Sequence, residues 1–152
     1  MKKLNKMDSD LLKAIFHTKV TCATVTLYLE SGKLPLAYSI SKRRLMFLWH
    51  ILSRNTDELI RKVYDVQKLK YTKGDFYEMI QNEKKKYDIN LSDQEISNMK
   101  KPRLKSLVDK QINKFAFTAL KNEGMMLSKS KHIVTNLISS KLEALYLNKI
   151  FD

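Results

Sequence analysis

The chain has 152 residues, 43% of them hydrophobic, which suffices to bury one core, or one core plus an appended helical arm. Its 3 glycines and 2 prolines allow few sharp turns, which favours long helices over the short strands of a sandwich or barrel. The single cysteine excludes an intramolecular disulfide and any zinc site with two thiolates, and no apolar run of about 18 residues predicts a membrane span. We expect an all-α, intracellular protein, cytoplasmic or nuclear, built as an irregular bundle of about seven or eight helices with short connections.

The charge is strongly unbalanced, with 29 Lys and Arg against 16 Asp and Glu and a formal net charge of +13. Such a chain attracts polyanions because binding releases condensed counterions, which makes nucleic acid the leading partner class and an anionic membrane surface the second. A lysine-rich solvated surface without a binding role is the alternative that composition leaves open.

The first two helices are predicted from caps and apolar spacing. Asp8 and Asp10 precede apolar residues at helical spacing, and two such acids serve far more often as helix caps than as a divalent-cation site. Residues 20–28 are β-branched and partly alternate like a strand, but the next residues end in Gly32 as a helix does. We predict a helix there.

The most apolar helix is predicted over residues 35–53, opened by Pro35 and packed through a spine of Leu45, Leu48 and Leu52. Its breadth of apolar positions indicates the central, most buried helix of the fold.

Three consecutive cations interrupt that helix. Lys42 and Arg43 lie away from the spine and are expected to contribute at the edge of an anion-binding surface. Arg44 falls within the apolar arc, so it either reaches solvent at an edge or pairs with a carboxylate, and we predict the pairing. The carboxylates considered for it are those of Glu30, Asp57 and Glu58.

Three further helices follow, each after a cap signal. Residues 56–58 precede one helix, Thr72 reopens the chain for the next, and residues 92–95 have the form of a capping box. Three lysines at 84–86 suit a helix end through its dipole.

The domain prediction is a single helical domain over residues 1–152, without internal repeats. The lysine-rich stretch near residues 84–101 is the candidate hinge between a helical core, 1–83, and a helical arm, 102–152.

The longest helical pattern runs from Lys101 to Gly124, with a proline near its start and Gly124 expected just after its end. Four cations lie within about 20° of one line along it: Arg103, Lys110, Lys114 and Lys121. Phe117 falls beside this line, where its ring is expected to stack on a base or meet a protein partner. A plain solvated face remains the alternative.

The last helix is predicted over residues 133–151, where it packs back on the core or docks elsewhere. The chain has no glycine-rich phosphate loop, nucleophile elbow or paired-histidine motif. We therefore predict no enzyme, no catalytic residue, no metal and no cofactor.

The central segment resembles the region that follows the reverse transcriptase core in polyproteins of invertebrate non-LTR retrotransposons. The likeness rests on short packing and basic motifs: Leu34-Pro35, Ile40, Arg43-Arg44-Leu45, His50-Ile51-Leu52, Asp57-Glu58-Leu59-Ile60, Lys62-Val63-Tyr64, Gln67-Lys68 and Thr72-Lys73-Gly74-Asp75-Phe76. It continues over residues 27–145 through further motifs in the same order: Leu29-Glu30-Ser31-Gly32, Lys129-Ser130-Lys131-His132 and Leu142-Glu143.

The resemblance implies a helical region beyond the thumb of such an enzyme, where basic helices support template binding. The polymerase's paired aspartates after a tyrosine, the cysteine-histidine cluster and the endonuclease domain of that family are absent from this sequence. No catalytic residue carries over, and the family assigns no role to the matching cations, which are Arg43, Arg44, Lys62, Lys68 and Lys73.

The sequence thus predicts a non-catalytic domain that binds nucleic acid, RNA or a hybrid duplex before DNA, mainly through phosphate contacts. The second hypothesis is a helical protein interaction module that docks through its last helix or through the face around Phe117.

Overall fold

A computed structural model describes residues 2–19, 22–70 and 72–127. These residues form seven helices and no strand: α1 (Lys2–Ile15), α2 (Thr24–Ser31), α3 (Leu36–Leu52), α4 (Leu59–Lys70), α5 (Phe76–Lys86), α6 (Asp93–Asn98) and α7 (Lys101–Met126). The all-α prediction is confirmed over this part of the chain. None of these helices is long and apolar enough to cross a membrane. The helix predicted over residues 133–151 lies outside the described residues.

The chain divides into two compact units. Within the described residues, the first unit holds residues 2–19, 22–40 and 112–127, and the second holds residues 41–70 and 72–111. The hinge predicted near residues 84–101 therefore lies inside the second unit and not at either boundary.

Local sequence signals set several helix ends as predicted. α2 ends at Gly32, whose φ of 63° is left-handed, a conformation that costs other residues more than glycine. α5 begins after Thr72 as predicted, but its cap is Asp75, which accepts a hydrogen bond from the Glu78 backbone N–H at 2.7 Å. At α6, Ser92 and Glu95 form both halves of a capping box, so that prediction is confirmed.

Two helix bounds differ from the prediction. α1 begins at Lys2, so Asp8 and Asp10 lie within the helix instead of capping it. The Asp8 carboxylate accepts hydrogen bonds from the Tyr28 hydroxyl at 2.7 Å and the Leu36 backbone N–H at 3.1 Å. Gly124 was expected to end the longest helix, but α7 continues through it to Met126, and Gly124 is buried. Tertiary contacts, which local spacing does not encode, account for the role of Asp8.

The first unit has a core made by α1, α2 and the later part of α7. Its buried residues form one cluster: Leu12, Val25, Leu27, Tyr28, Leu29 and Leu120. Removing side chains of this size from water stabilises each position by about 1.5–3 kcal/mol. The hydrogen bond from Tyr28 to Asp8 ties α2 to α1 at the edge of this cluster.

The second unit is organised around α3. Leu45, Leu48 and Leu52 are all buried, which confirms the predicted spine. The Trp49 indole N–H donates to the Met99 carbonyl at 2.9 Å, and Lys101 lies over the same ring at 5.7 Å. These contacts hold the end of α3 against the start of α7.

Candidate nucleic-acid interface

The cations Arg103, Lys110, Lys114 and Lys121 define the α7 basic line, which is largely open to solvent. Arg103, Lys110 and Lys114 have exposed side chains, whereas Lys121 is half-buried. Arg103 and Lys110 belong to the second unit, and Lys114 and Lys121 to the first. None of the four forms an ion pair with another residue in the described part of the chain. Their positive charge is therefore not neutralised by a described carboxylate.

The structure contradicts the expected position of Phe117. Its side chain is only 9% exposed and belongs to the core. Base stacking needs an open ring face, and a protein partner would need the same exposure. The prediction that Phe117 adds an aromatic platform to the basic line is therefore wrong.

The reason is that the buried stripe of α7 does not run straight along the helix. Its buried positions recur at every fourth residue: Leu104, Val108, Ile112, Ala116, Leu120 and Gly124. A four-residue step turns about 40° beyond a full turn, so the stripe moves around the helix as the chain advances. It reaches Phe117 near the end, whereas Phe115 is exposed.

The two cations predicted at the edge of α3 have different surroundings. Lys42 forms an ion pair with Asp109 of α7, with 3.0 Å between Nζ and Oδ1, and both side chains are half-buried. Arg43 is exposed and forms no ion pair with the described residues. Arg43 thus remains available for a phosphate, whereas Lys42 is already paired with a carboxylate on the helix that carries the basic line.

Arg44 forms the predicted internal ion pair, but with a carboxylate that the sequence did not indicate. Its Nη1 atom lies 2.9 Å from Glu83 Oε1, and Ser41 Oγ donates to the same oxygen at 3.2 Å. The Tyr87 hydroxyl donates to Ser41 Oγ at 3.0 Å and closes a network inside the second unit. Asp57 and Glu58 pair instead with Lys62 and Arg54. Glu83 reaches Arg44 only through the packing of α5 on α3.

A second polar network surrounds Asp93 at the start of α6. The Tyr64 hydroxyl lies 3.3 Å from both carboxylate oxygens, and Lys68 Nζ lies 2.8 Å from Oδ2. Burial and the neighbouring Asp93 carboxylate raise the pKa of Tyr64, because each disfavours the phenolate. The hydrogen bond to Asp93 raises the pKa of Lys68. Lys68 therefore forms an ion pair within the chain, with Asp93.

An open cavity of about 390 Å³ lies at the end of α5, with Lys84 and Lys85 in its wall. Burial lowers the pKa of Lys84, opposed by the Asp93 carboxylate. Asp88 lines the same cavity and accepts a hydrogen bond from Asn90 at 2.8 Å. The sequence suggested only a helix-dipole role for these lysines. Since the wall carries both signs of charge, it is a poorer phosphate surface than the α7 basic line.

No family model, curated protein or solved structure matches the chain. The retrotransposon resemblance therefore stays a prediction from the sequence. Among the described residues, no three His, Cys, Asp or Glu side chains are grouped so that they could hold a metal ion.

Proposed function

We propose that this chain is a non-catalytic helical domain that binds nucleic acid through phosphate contacts made by the α7 basic line. One observation supports the proposal most strongly. Arg103, Lys110 and Lys114 are exposed, lie in register on one helix and have no carboxylate partner among the described residues. Unpaired cations repeated along one line are what an extended polyanion requires for several contacts at once.

We expect the domain to discriminate poorly between nucleotide sequences. Phosphate contacts position a protein on nucleic acid but carry no base information. Phe117 is buried and offers no stacking platform, and Lys42 is paired with Asp109. Arg43 is the exposed cation of the Lys42–Arg44 run and is the additional phosphate contact that we propose.

RNA or an RNA–DNA hybrid is proposed before duplex DNA on the strength of the retrotransposon resemblance alone. Phosphate binding itself needs only the charges and exposure of α7, so it does not depend on that resemblance. A protein partner docking through the last helix remains a prediction about residues outside the described part of the chain. A protein partner that docks on the face around Phe117 would need an exposed Phe117 ring, and this ring is buried.

The proposal is tested by titrating fluorescently labelled single-stranded RNA, an RNA–DNA hybrid and duplex DNA with the purified protein and following anisotropy. The Lys110→Ala/Lys114→Ala variant should bind RNA at least about tenfold more weakly, since two phosphate contacts are lost. Lys3→Ala/Lys6→Ala is the matched control, because it removes the same charge from two exposed lysines of α1. An equal loss of affinity in both variants would show non-localised charge attraction instead of a site on α7.

A further inference from the structure

α4 contacts the rest of the second unit through aromatic and charged side chains. Tyr64 is buried and donates to Asp93. The Arg61 guanidinium donates to the Leu52 carbonyl at 3.0 Å, and Lys68 pairs with Asp93 at 2.8 Å. The inward face of this helix is therefore held by the buried Tyr64 ring and by polar contacts.

The outward face of α4 is aliphatic. Leu59 is 77% exposed, Val63 48%, Val66 49% and Leu69 85%. At about 100° per residue, these four side chains lie within an arc of about 120° on the helix. A surface helix normally turns such a stripe toward the core, so a stripe facing solvent indicates a surface that another molecule covers.

The charges at the two ends of this stripe identify the molecule that fits it. Asp57 and Glu58 precede α4 and form only loose ion pairs, with Lys62 and Arg54 respectively, each at 3.8 Å. Lys70 ends the helix and Lys73 follows it, and neither forms an ion pair in the described part of the chain. The stripe thus has two loosely paired carboxylates at one end and two lysines without a described ion pair at the other, and these groups complement each other when the helix is reversed.

We propose that two copies of this chain associate through α4, packed antiparallel about a two-fold axis near the middle of the helix. In that arrangement Val63 faces Val66 of the second copy and Leu59 faces Leu69. Glu58 faces Lys70, and the symmetry makes every pair occur twice. A second copy, when reversed, matches both ends and the aliphatic middle at once, which is why the surface is assigned to it.

The dimer is expected to be weak. The helix has 12 residues and is about 18 Å long, so its interface falls at or below the low end of the usual range, about 1,200 Å² in total. The net charge of +13 on each copy also opposes association. Physiological ionic strength, with a Debye length of about 8 Å, screens that long-range repulsion and is the condition for the measurement.

Sedimentation equilibrium of the full chain without nucleic acid tests the proposal over a wide concentration range. The wild-type mass should rise toward that of a dimer, and Val66→Glu should weaken association at least about tenfold. Glutamate is a better helix former than valine, so this exposed change should leave the circular dichroism spectrum unchanged. Leu11→Glu is the control, because Leu11 belongs to an exposed apolar set on α1. A wild-type monomer at all concentrations, or equal losses in the two variants, overturns the proposal.

A charge exchange tests the antiparallel arrangement. Glu58→Lys alone places lysine against Lys70 of its copy, and Lys70→Glu alone places glutamate against Glu58, so each variant should dimerise less than wild type. An equimolar mixture of the two restores opposite charges at both ends and should form heterodimers with the wild-type affinity or better. Failure of the mixture to recover association contradicts the proposed geometry. Because nucleic acid is absent, the outcome is independent of the proposed binding by α7.

Discussion

Arg44 Nη1 of α3 lies 2.9 Å from Glu83 Oε1 of α5, so a cation of the most apolar helix neutralises a buried carboxylate. An isolated charge at the position of Glu83 would be costly, because water is excluded there. Arg44 is consequently a scaffold residue, and its positive charge is not available to a phosphate. Its neighbour Arg43 is exposed and makes no such pair among the described residues.

Replacing Arg44 should destabilise the protein far more than replacing Arg43. Arg44→Met keeps much of the aliphatic stem but leaves Glu83 charged and buried, and should cost about 2–3 kcal/mol of unfolding free energy. We favour the lower end of this energy range because the Arg44 side chain is about a third exposed, so solvent screens its ion pair with Glu83. Urea unfolding followed by circular dichroism measures the loss.

Two variants control this comparison. Arg43→Met should change stability by no more than about 0.5 kcal/mol. Arg44→Met/Glu83→Met should regain much of the loss, because no unpaired charge remains. A similar loss for Arg43→Met and Arg44→Met would contradict the assignment of Arg44 to the scaffold.

Alkaline pH should destabilise the fold through two tyrosines. Burial, together with hydrogen bonding and charge from Asp8 and Asp93 respectively, raises the pKa of Tyr28 and Tyr64 above the ordinary tyrosine value of about 10. Above about pH 10 the unfolded chain loses these protons while the folded chain keeps them, so stability falls as pH rises. Urea midpoints measured on either side of that pH should show the fall.

Two tyrosine variants identify the source of the loss of stability at alkaline pH. Tyr28→Phe and Tyr64→Phe should each make stability less dependent on pH in this range, because phenylalanine does not titrate. Each should also lower stability at neutral pH by about 1 kcal/mol through the lost hydrogen bond. An unchanged alkaline slope in the double variant would show that other groups cause it.

The end of α2 depends on the backbone of Gly32. Its φ of 63° is left-handed, and a Cβ at this position would meet no atom within 4 Å. Gly32→Ala should therefore cost about 1–2 kcal/mol from backbone strain alone, and Gly32→Asn should cost less. Thermal or urea unfolding compares the two variants, and a Gly32→Ala protein as stable as wild type would contradict this helix end.

Much of the fold follows from signals within a few residues of sequence. The Ser92–Glu95 capping box and the Gly32 helix end were predictable because their partners are close along the chain. The need of Arg44 for a carboxylate was also predictable from its place in an apolar arc. That the carboxylate is Glu83 was not, because the pair depends on how α5 packs against α3.

The candidate site was predicted less completely, for the same physical reason. A helical count identified the α7 cations, but it assumed one straight buried stripe. The four-residue repeat of buried positions moves around the helix and covers Phe117. The cap signal at residues 56–58 likewise predicted α4, yet it does not indicate which face of the helix meets the core. The outward position of Leu59 and Leu69 was visible only in three dimensions.

The most direct test of phosphate binding by α7 is the salt dependence of RNA affinity. For the wild-type protein, log K should fall steeply and linearly with log salt concentration, because each phosphate contact releases counterions. Lys110→Ala/Lys114→Ala should reduce that slope by about two, and Lys3→Ala/Lys6→Ala should leave it nearly unchanged. Binding that does not respond to salt, an unchanged slope in the α7 variant, or no binding to RNA and DNA alike would contradict the account.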